Sequence, residues 1–435
     1  MTTENNDSSK RKTFIIDTSV LLYDKHSIHS LPGNDIIIPI VVLDELDKFK
    51  EKQALLGENA RYVNRYLDKL RAEGSLHDGV TIEGDQTIRV DVGTYTVPDS
   101  LDAATGDNKI IACALNCKNL GMNKVTVITK DINFRVKCDS LGINAEDYYR
   151  DRIIKDKSLI YSGLEEIEVE DISIIDDFYR DNRVDVSRIN EEIFENQFVI
   201  IKCGTQSALG VAYDGVIHQT VNNISKVIGI NPRNKEQKFA LDLLTRNDVQ
   251  MVTMTGLAGS GKTFLTLMAG LSGLQDKKYD RIVITRSLQT VGKEIGFLPG
   301  DIDDKMSPWL SPILDNFRQA FKDVTYFEAM RQKGQIEVSP LAYIRGRTFN
   351  NTFLIVDEAQ NSTIHELKTI ITRVGEGSKI VLLGDIDQID TPYLDSLSNG
   401  LTVAIEKFKK ERLAGHITLI KGERSALATL ASRLL

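Results

Sequence analysis

The chain has 435 residues, 41% apolar and 27% charged, with a formal net charge of −8. Those proportions exclude a mostly disordered protein, a collagen-like fibre and a coiled-coil rod, and at about 150 residues per domain the length predicts more than one domain. No apolar run approaches the ~18 residues of a membrane span, and the polar start MTTENNDSSKRKT reads as a frayed tail over 1–12, not a signal peptide.

The first structured segment alternates strands and helices. Thr13–Asp17 is apolar and ends in Asp-Thr-Ser, the pattern of a buried strand running into a helix start. Ile36–Leu43 is a second apolar run, broken at Pro39, with helical patterning predicted from Asp44 onward. A helix follows over Ala60–Leu70, short strands over 76–98 with turns at His77–Gly79 and Glu83–Asp85, a helix from Asp107 to Leu120, and a strand over Lys124–Thr129. Such alternation predicts a mainly parallel sheet with helices on its faces. Cys113 and Cys117 stand four apart on that last helix and could share a metal. No matching second pair accompanies them, so buried free thiols in a reducing cytoplasm are the expectation for them, Cys138 and Cys203.

Residues 151–230 carry 8 basic against 15 acidic side chains. The β-prone stretches Leu159–Tyr161, Gln197–Lys202 and Leu209–Ala212 predict a small β-rich connector. The run Asn231-Pro232-Arg233-Asn234 marks the next boundary. Beyond it, strands are predicted at Val249–Thr255, Arg281–Thr285, Thr352–Val356 and Ser378–Leu383, again alternating with helices. The region 231–435 is slightly basic, with 27 Lys+Arg against 24 Asp+Glu. Net charge therefore neither excludes a nucleic acid partner nor argues for one.

Gly256-Leu257-Ala258-Gly259-Ser260-Gly261-Lys262-Thr263 fits G-x-x-x-x-G-K-[ST], after an apolar strand and before an apolar helix that opens with Phe264. Glycines let backbone N–H groups face phosphates, and the helix N-terminus adds its dipole. Lys262 is the candidate for the β- and γ-phosphates and Thr263 for Mg²⁺. The strand Phe353–Val356 ends in Asp357-Glu358, where Asp357 can hold the Mg²⁺ and Glu358 can orient or deprotonate the attacking water. Gln388 follows a third strand and could sense the γ-phosphate; Gln237, upstream of the loop, could read an adenine edge. Together with Gly296–Asp301, Arg345-Gly346-Arg347-Thr348 and Gly422–Ser425, these residues resemble the PhoH-type ATPases over about 228–435.

That resemblance implies a RecA-like P-loop NTPase core, similar to one motor domain of superfamily 1 helicases, with Gln237 on adenine, Gln388 as γ-phosphate sensor and ATP with Mg²⁺ as substrate and cofactor. One P-loop makes one motor core, so a transition-state arginine has to come from a neighbouring subunit. Arg345, Arg347 and Arg424 are candidates, Arg424 favoured by its late position, and each also reads as a surface or nucleic-acid-contacting arginine. A ring-like homo-oligomer is therefore expected, and the resemblance implies a hexamer.

In the first segment, Asp17 ends a strand, Glu45 is expected to begin a helix, Asp107 opens a later helix and Asp131 follows a strand. Strand C-termini and helix starts share one edge of a parallel sheet, so these acids could converge. Convergence would require Mg²⁺ or Mn²⁺ to offset the repulsion; a helix N-cap is the plain alternative for a strand-end Asp. The stretches Asp-Thr-Ser-Val-Leu-Leu, Val-Leu-Asp-Glu-Leu-Asp, Gly57–Arg61, Asp-Asn-Lys-Ile-Ile-Ala-Cys-Ala and Thr-Lys-Asp-Ile-Asn-Phe-Arg resemble a PIN-domain nuclease over about 11–150. The resemblance implies single-stranded RNA cleavage by Asp17, Glu45, Asp107 and Asp131, with Ser19 and Asn133 in support. Asp44, Asp47 and Asp102 leave the individual acids open, and Arg61, Arg65, Lys130 and Arg135 read equally as phosphate grips or solvated helix faces.

The combined expectation is an α/β protein, with a PIN-like domain over 13–150, a β-rich connector over 151–230 and a PhoH-type ATPase over 231–435. Its expected activity is that of a cytoplasmic, ATP-dependent RNA helicase or translocase coupled to a metal-dependent ribonuclease, acting on single-stranded or tailed duplex RNA away from membranes. The alternatives are an ATP-gated ribonuclease without translocation, and an ATP-dependent remodeller whose PIN fold only binds RNA.

Overall fold

A computed structural model describes residues 11–51, 55–93, 95–148, 156–220, 231–286, 302–344, 346–391 and 394–422. The chain divides into two compact units, Met1–Asp151 and Arg152–Leu435.

The first unit is built on six strands, β1 (Thr13–Ile16), β2 (Asp35–Pro39), β3 (Val80–Ile82), β4 (Gln86–Asp91), β5 (Thr126–Ile128) and β6 (Asn144–Glu146). Their order is β3-β4-β2-β1-β5-β6, and every pairing is parallel except the β3–β4 hairpin. The helices are α1 (Thr18–Tyr23), α2 (Ile40–Phe49), α3 (Leu55–Glu73), α4 (Gly106–Asn119) and α5 (Ile132–Ser140). All four residues of β1 are buried, the pattern of a central strand covered on both faces. Pro39, with its φ fixed at −60°, ends β2 and caps α2 directly. Helix α2 therefore begins at Ile40, a turn earlier than Asp44, and Glu45 lies inside it. The core gathers Ile15, Ile37, Ile111 and Phe134 from different elements.

The second unit contains two sheets. The first comprises β7 (Leu164–Glu168), β8 (Arg183–Asp185), β9 (Phe198–Cys203), β10 (Gln206–Tyr213) and β11 (Val216–Gln219), in the order β7-β9-β10-β11-β8, with α6 (Ser173–Asp181) packed on it. Leu159–Tyr161 is not a strand. Lys157–Leu159 form a single 3-10 turn, because Asp156 accepts a hydrogen bond from the Ser158 N–H and bends the chain.

The second sheet holds β12 (Met251–Gly256), β13 (Arg281–Arg286), β14 (Ile336–Pro340), β15 (Thr352–Asp357), β16 (Lys379–Gly384) and β17 (Ala414–Leu419). It is all parallel, in the order β14-β13-β15-β16-β12-β17. Among the described residues the sheet is accompanied by helices α7 (Lys235–Thr245), α8 (Lys262–Gln275), α9 (Ile302–Phe321), α10 (Thr325–Gln332), α11 (Ile364–Ile371) and α12 (Gly400–Phe408). Phe198 of β9 stacks on Phe239 of α7 at 4.3 Å, both fully buried, and belongs to the same core as Val252 and Leu383. The two sheets are thus joined through shared apolar packing. No helix among the described residues is long and apolar enough to cross a membrane.

Candidate active sites

In the second unit β12, β15 and β16 run parallel, so their C-terminal ends share one edge. That edge bears the P-loop, Asp357-Glu358 and Gly384-Asp385. The loop turns through Gly259 (φ +81°) and Gly261 (φ +97°), conformations closed to most side chains, and α8 starts at Lys262. The Lys262 ammonium donates to the carbonyls of Gly256 at 2.6 Å and Leu257 at 3.1 Å, curling over the loop. A cleft of about 690 Å³ opens here, lined by the predicted Gln237, Ala258, Gly259, Gly261, Lys262, Thr263, Phe264, Asp357, Glu358 and Gln388. Gly256, Leu257 and Ser260 form the rest of the loop, and Ser260 turns its carbonyl to Gln237.

The Thr263 hydroxyl stands 3.5 Å from Asp357 Oδ1. Burial pushes the Asp357 carboxyl up, the neighbouring Glu358 adds to the rise, and Arg286 and Lys262 oppose it. A hydroxyl beside a half-buried carboxylate is a hard-oxygen donor pair of the kind that suits Mg²⁺. Glu358 adopts a left-handed backbone (φ +53°), a costly conformation for a non-glycine residue. Its carboxylate accepts from Gln360 Nε2 at 2.6 Å and faces Arg286 at 3.3 Å. Gln360 also donates to the Gln388 carbonyl and accepts from the Asp385 N–H, so one amide ties Glu358 to the loop after β16.

Gln237 uses its amide on the protein itself: Nε2 donates to the Ser260 carbonyl at 3.1 Å and Oε1 accepts from Arg233 N at 2.9 Å. Among the described residues these bonds leave one proton and one lone pair of that amide open to a ligand. Sequence reasoning missed Asn231, Arg233, Asn316 and Gln319 in the cleft, as well as Arg286 and Gln360 behind Glu358. Only contacts between distant segments single these out. Arg347 is engaged by Glu337, 2.8 Å away, and lies over the Phe349 ring. Arg345, Arg424 and the stretch Gly296–Asp301 lie outside the described residues.

In the first unit the fold places Asp107 and Glu45 near enough to Asp17 for their charges to act on it. Asp17, at the end of β1, is 5% exposed. It accepts hydrogen bonds from Ser19 Oγ and from Thr129 Oγ1, the latter at 2.6 Å. Its carboxyl is pushed up to about 6, chiefly by burial; the two hydroxyls oppose the shift, and the Asp107 and Glu45 charges add to it. Glu45 accepts from Thr18 Oγ1, and its other oxygen lies over Gly106, where an added Cβ would fall 2.0 Å away. Asp107 lies 3.5 Å from Lys137. Among the described residues the carboxylate oxygens of Asp17, Glu45 and Asp107 do not all lie within 4.8 Å of one another; each is a hard-oxygen donor of the kind a divalent cation takes.

Asp131 takes the plain alternative: it caps α5, accepting from Asn133 N at 2.7 Å and Phe134 N at 3.2 Å. Its own N–H donates to Thr129 Oγ1, the hydroxyl that donates to Asp17, so it borders the site through one residue. Asp44 is exposed, Asp47 pairs with Lys50 at 2.7 Å, and Asp102 accepts from Thr105 Oγ1 and Ala104 N. Lys130 is no surface phosphate grip. Its ammonium is buried, 3.3 Å from Asp147 and 4.7 Å from the centre of the Tyr23 ring. Arg61 donates to the Lys50 carbonyl, Arg65 to that of Arg61 and Arg135 to that of Thr129. Asn133 is exposed, whereas Ser19 is buried.

Comparison with known proteins matches residues 229–430 to the PhoH-like protein family and residues 14–149 to the PIN domain. Protein PhoH2 of Bacillus subtilis is 41% identical over 445 residues, covering 98% of this chain and 100% of the relative. Protein PhoH2 of Thermobispora bispora is 34% identical, covering 100% of this chain and 99% of the relative. Protein PhoH2 of Mycolicibacterium smegmatis is 32% identical, with coverages of 98% and 97%. The chain belongs to the PhoH2 family, a PIN domain followed by a PhoH-type P-loop ATPase.

Proposed function

We propose that the chain is an ATP-driven RNA motor, a helicase or translocase, whose PIN domain cleaves single-stranded RNA at a Mg²⁺- or Mn²⁺-dependent site. The observation that carries this reading is the buried Asp17 on which the Asp107 and Glu45 charges act, in a chain that also carries a P-loop with its acid pair. In the ATPase unit, Lys262 leaves the Gly256 and Leu257 carbonyls for the β- and γ-phosphates, and Thr263 with Asp357 would hold Mg²⁺. Glu358, oriented by Gln360, takes the proton of the attacking water, and Gln388 reads the γ-phosphate. Gln237 turns its remaining amide valences to adenine.

In the PIN unit, Asp17, Glu45 and Asp107 would hold the divalent ion, with Asp131 completing the acid edge. When bound, that ion neutralises the acids and supplies an activated water for phosphodiester hydrolysis. Ser19 and Thr129 fix the Asp17 carboxylate, and Thr18 fixes Glu45. A single P-loop core leaves the transition-state arginine to a neighbour, so the active form is a homo-oligomeric ring; the family resemblance makes that ring a hexamer, acting in the cytoplasm.

The test is cleavage of a labelled RNA duplex bearing a single-stranded tail, in Mg²⁺ or Mn²⁺, with and without ATP. Wild type should cut into the duplex only with ATP. Asp17→Asn should abolish all cutting, and Lys262→Ala should confine it to the tail. Cutting of the tail alone, indifferent to ATP and to Lys262, would remove the motor from the proposal.

A further inference from the structure

Cys113 and Cys117 lie one turn apart on α4, both fully buried. The sequence offers them no second cysteine pair; the fold offers a carboxylate. Asp91, the last residue of β4, reaches α4, and Cys113 Sγ lies 3.7 Å from Asp91 Oδ2. One oxygen of Asp91 and the two sulfurs all lie within 4.8 Å of one another. A tetrahedral zinc ion with Zn–S of about 2.3 Å and Zn–O of about 2.0 Å sets its ligand atoms about 3.5–3.8 Å apart. The Cys113–Asp91 separation falls inside that span.

The Tyr95 hydroxyl is buried beside Asp91 and Cys113. Arg89 lies 3.8 Å from Asp91 Oδ2. Two thiolates and a carboxylate carry three negative charges; a divalent ion removes two, and Arg89 offsets the third.

The geometry points to a site for a thiophilic divalent cation of the zinc class, held by Asp91, Cys113 and Cys117, with the Tyr95 hydroxyl beside it. Thiolate ligands select such an ion over Mg²⁺. Both thiols give up their protons to solvent as it enters. The ion clips the end of β4 to α4, the helix whose first turn carries Gly106 and Asp107. Those two residues lie about 9–17 Å along the helix axis from the two cysteines, at about 1.5 Å of rise per residue. The clip therefore fixes the helix that presents Asp107 without being part of the acid site.

The test is Co²⁺ titration of the full-length, reduced, metal-stripped chain, followed by the cobalt–thiolate charge-transfer band in the near ultraviolet. The band should saturate at a single cobalt per chain and vanish when Zn²⁺ displaces it. Cys113→Ser and Cys117→Ser should each abolish it, and Asp91→Asn should weaken cobalt binding by at least about tenfold. Asp17→Asn and Cys203→Ser should leave it unchanged, since neither touches this cluster. Absence of the band in wild type overturns the inference without any variant having to fold. So does a band that survives Cys117→Ser or that disappears with Asp17→Asn.

Discussion

Gly106→Ala is the sharpest probe of the acid site because it separates stability from geometry. The added Cβ would stand 2.0 Å from Glu45 Oε1, where a carbon–oxygen contact needs about 3.3 Å. The clash is with the tip of a flexible side chain, so the fold has an inexpensive escape: the carboxylate swings away by about 1.3 Å. Alanine in the first turn of α4 should cost the helix nothing and contribute up to about 1 kcal/mol. Catalytic geometry has no such escape, since a displacement of about 1 Å can cost on the order of 10²-fold in rate, or about 2.7 kcal/mol. Metal-dependent RNA cleavage should therefore fall about a hundredfold, while the melting temperature does not fall and the basal ATPase rate holds. Shortening the acid with Glu45→Asp withdraws it by about 1.5 Å, so the double variant should be no worse than Gly106→Ala alone, a non-additive pair. Wild-type cleavage by Gly106→Ala would mean that the observed position of Glu45 is not the one the reaction uses.

Three further outcomes follow from the second unit. Glu358→Gln should keep nucleotide affinity but lower ATP turnover by about 10²–10⁴-fold; a milder loss would assign the proton to another group. Asn196 is fully buried, donates to the Arg412 and Ala414 carbonyls at 2.9 and 2.7 Å, and accepts from Arg246 at 2.8 Å. Asn196→Ala removes all three bonds at a left-handed position (φ +57°) and should lower unfolding free energy by about 2–4 kcal/mol in urea; an unchanged midpoint would show those bonds to be replaceable. His416 is buried between Thr253 and Thr418, at 2.8 and 3.0 Å, and burial lowers its pKa from 6.5 to about 3. Below about pH 6.5 the unfolded chain binds a proton that the folded chain refuses, so stability is full above that pH and falls as pH drops towards 3. Relative to His416→Asn, wild type should lose on the order of 3 kcal/mol between about pH 6.5 and about pH 4; parallel pH curves for the two proteins would place the ring in water.

What could be read from the sequence was whatever the chain writes in one uninterrupted stretch. The P-loop is such a stretch, because its chemistry is backbone amides, one lysine and one hydroxyl in sequence. Strands β1, β12, β15 and β16 are apolar runs because helices cover both faces. Strand β14 escaped notice because only Ile336 and Pro340 of its five residues are buried. Strand β17 escaped because Gly415 and His416 interrupt its apolar pattern, although it is buried at five of six positions. The start of α2 was hidden inside the apolar run Ile36–Leu43, where Pro39 both ends the strand and opens the helix. Leu159–Tyr161 has strand-forming residues, but Asp156 bends the chain first.

The two candidate sites differ in legibility because they solve opposite electrostatic problems. An anion can be met by a local device: a loop of backbone N–H groups at one helix N-terminus concentrates positive potential without help from distant segments. A cation-binding site of carboxylates has to be assembled against repulsion, and no single segment can hold several acids at one point. The first unit takes its acids from the end of β1, the middle of α2 and the first turn of α4. It then restrains them with neutral groups: Ser19 and Thr129 on Asp17, Thr18 on Glu45, and the bare backbone of Gly106. The acids have a motif resemblance to announce them. The threonines and the glycine that fix where each carboxylate points are ordinary residues until the fold places them. The positions most worth mutating are therefore those the sequence marks least.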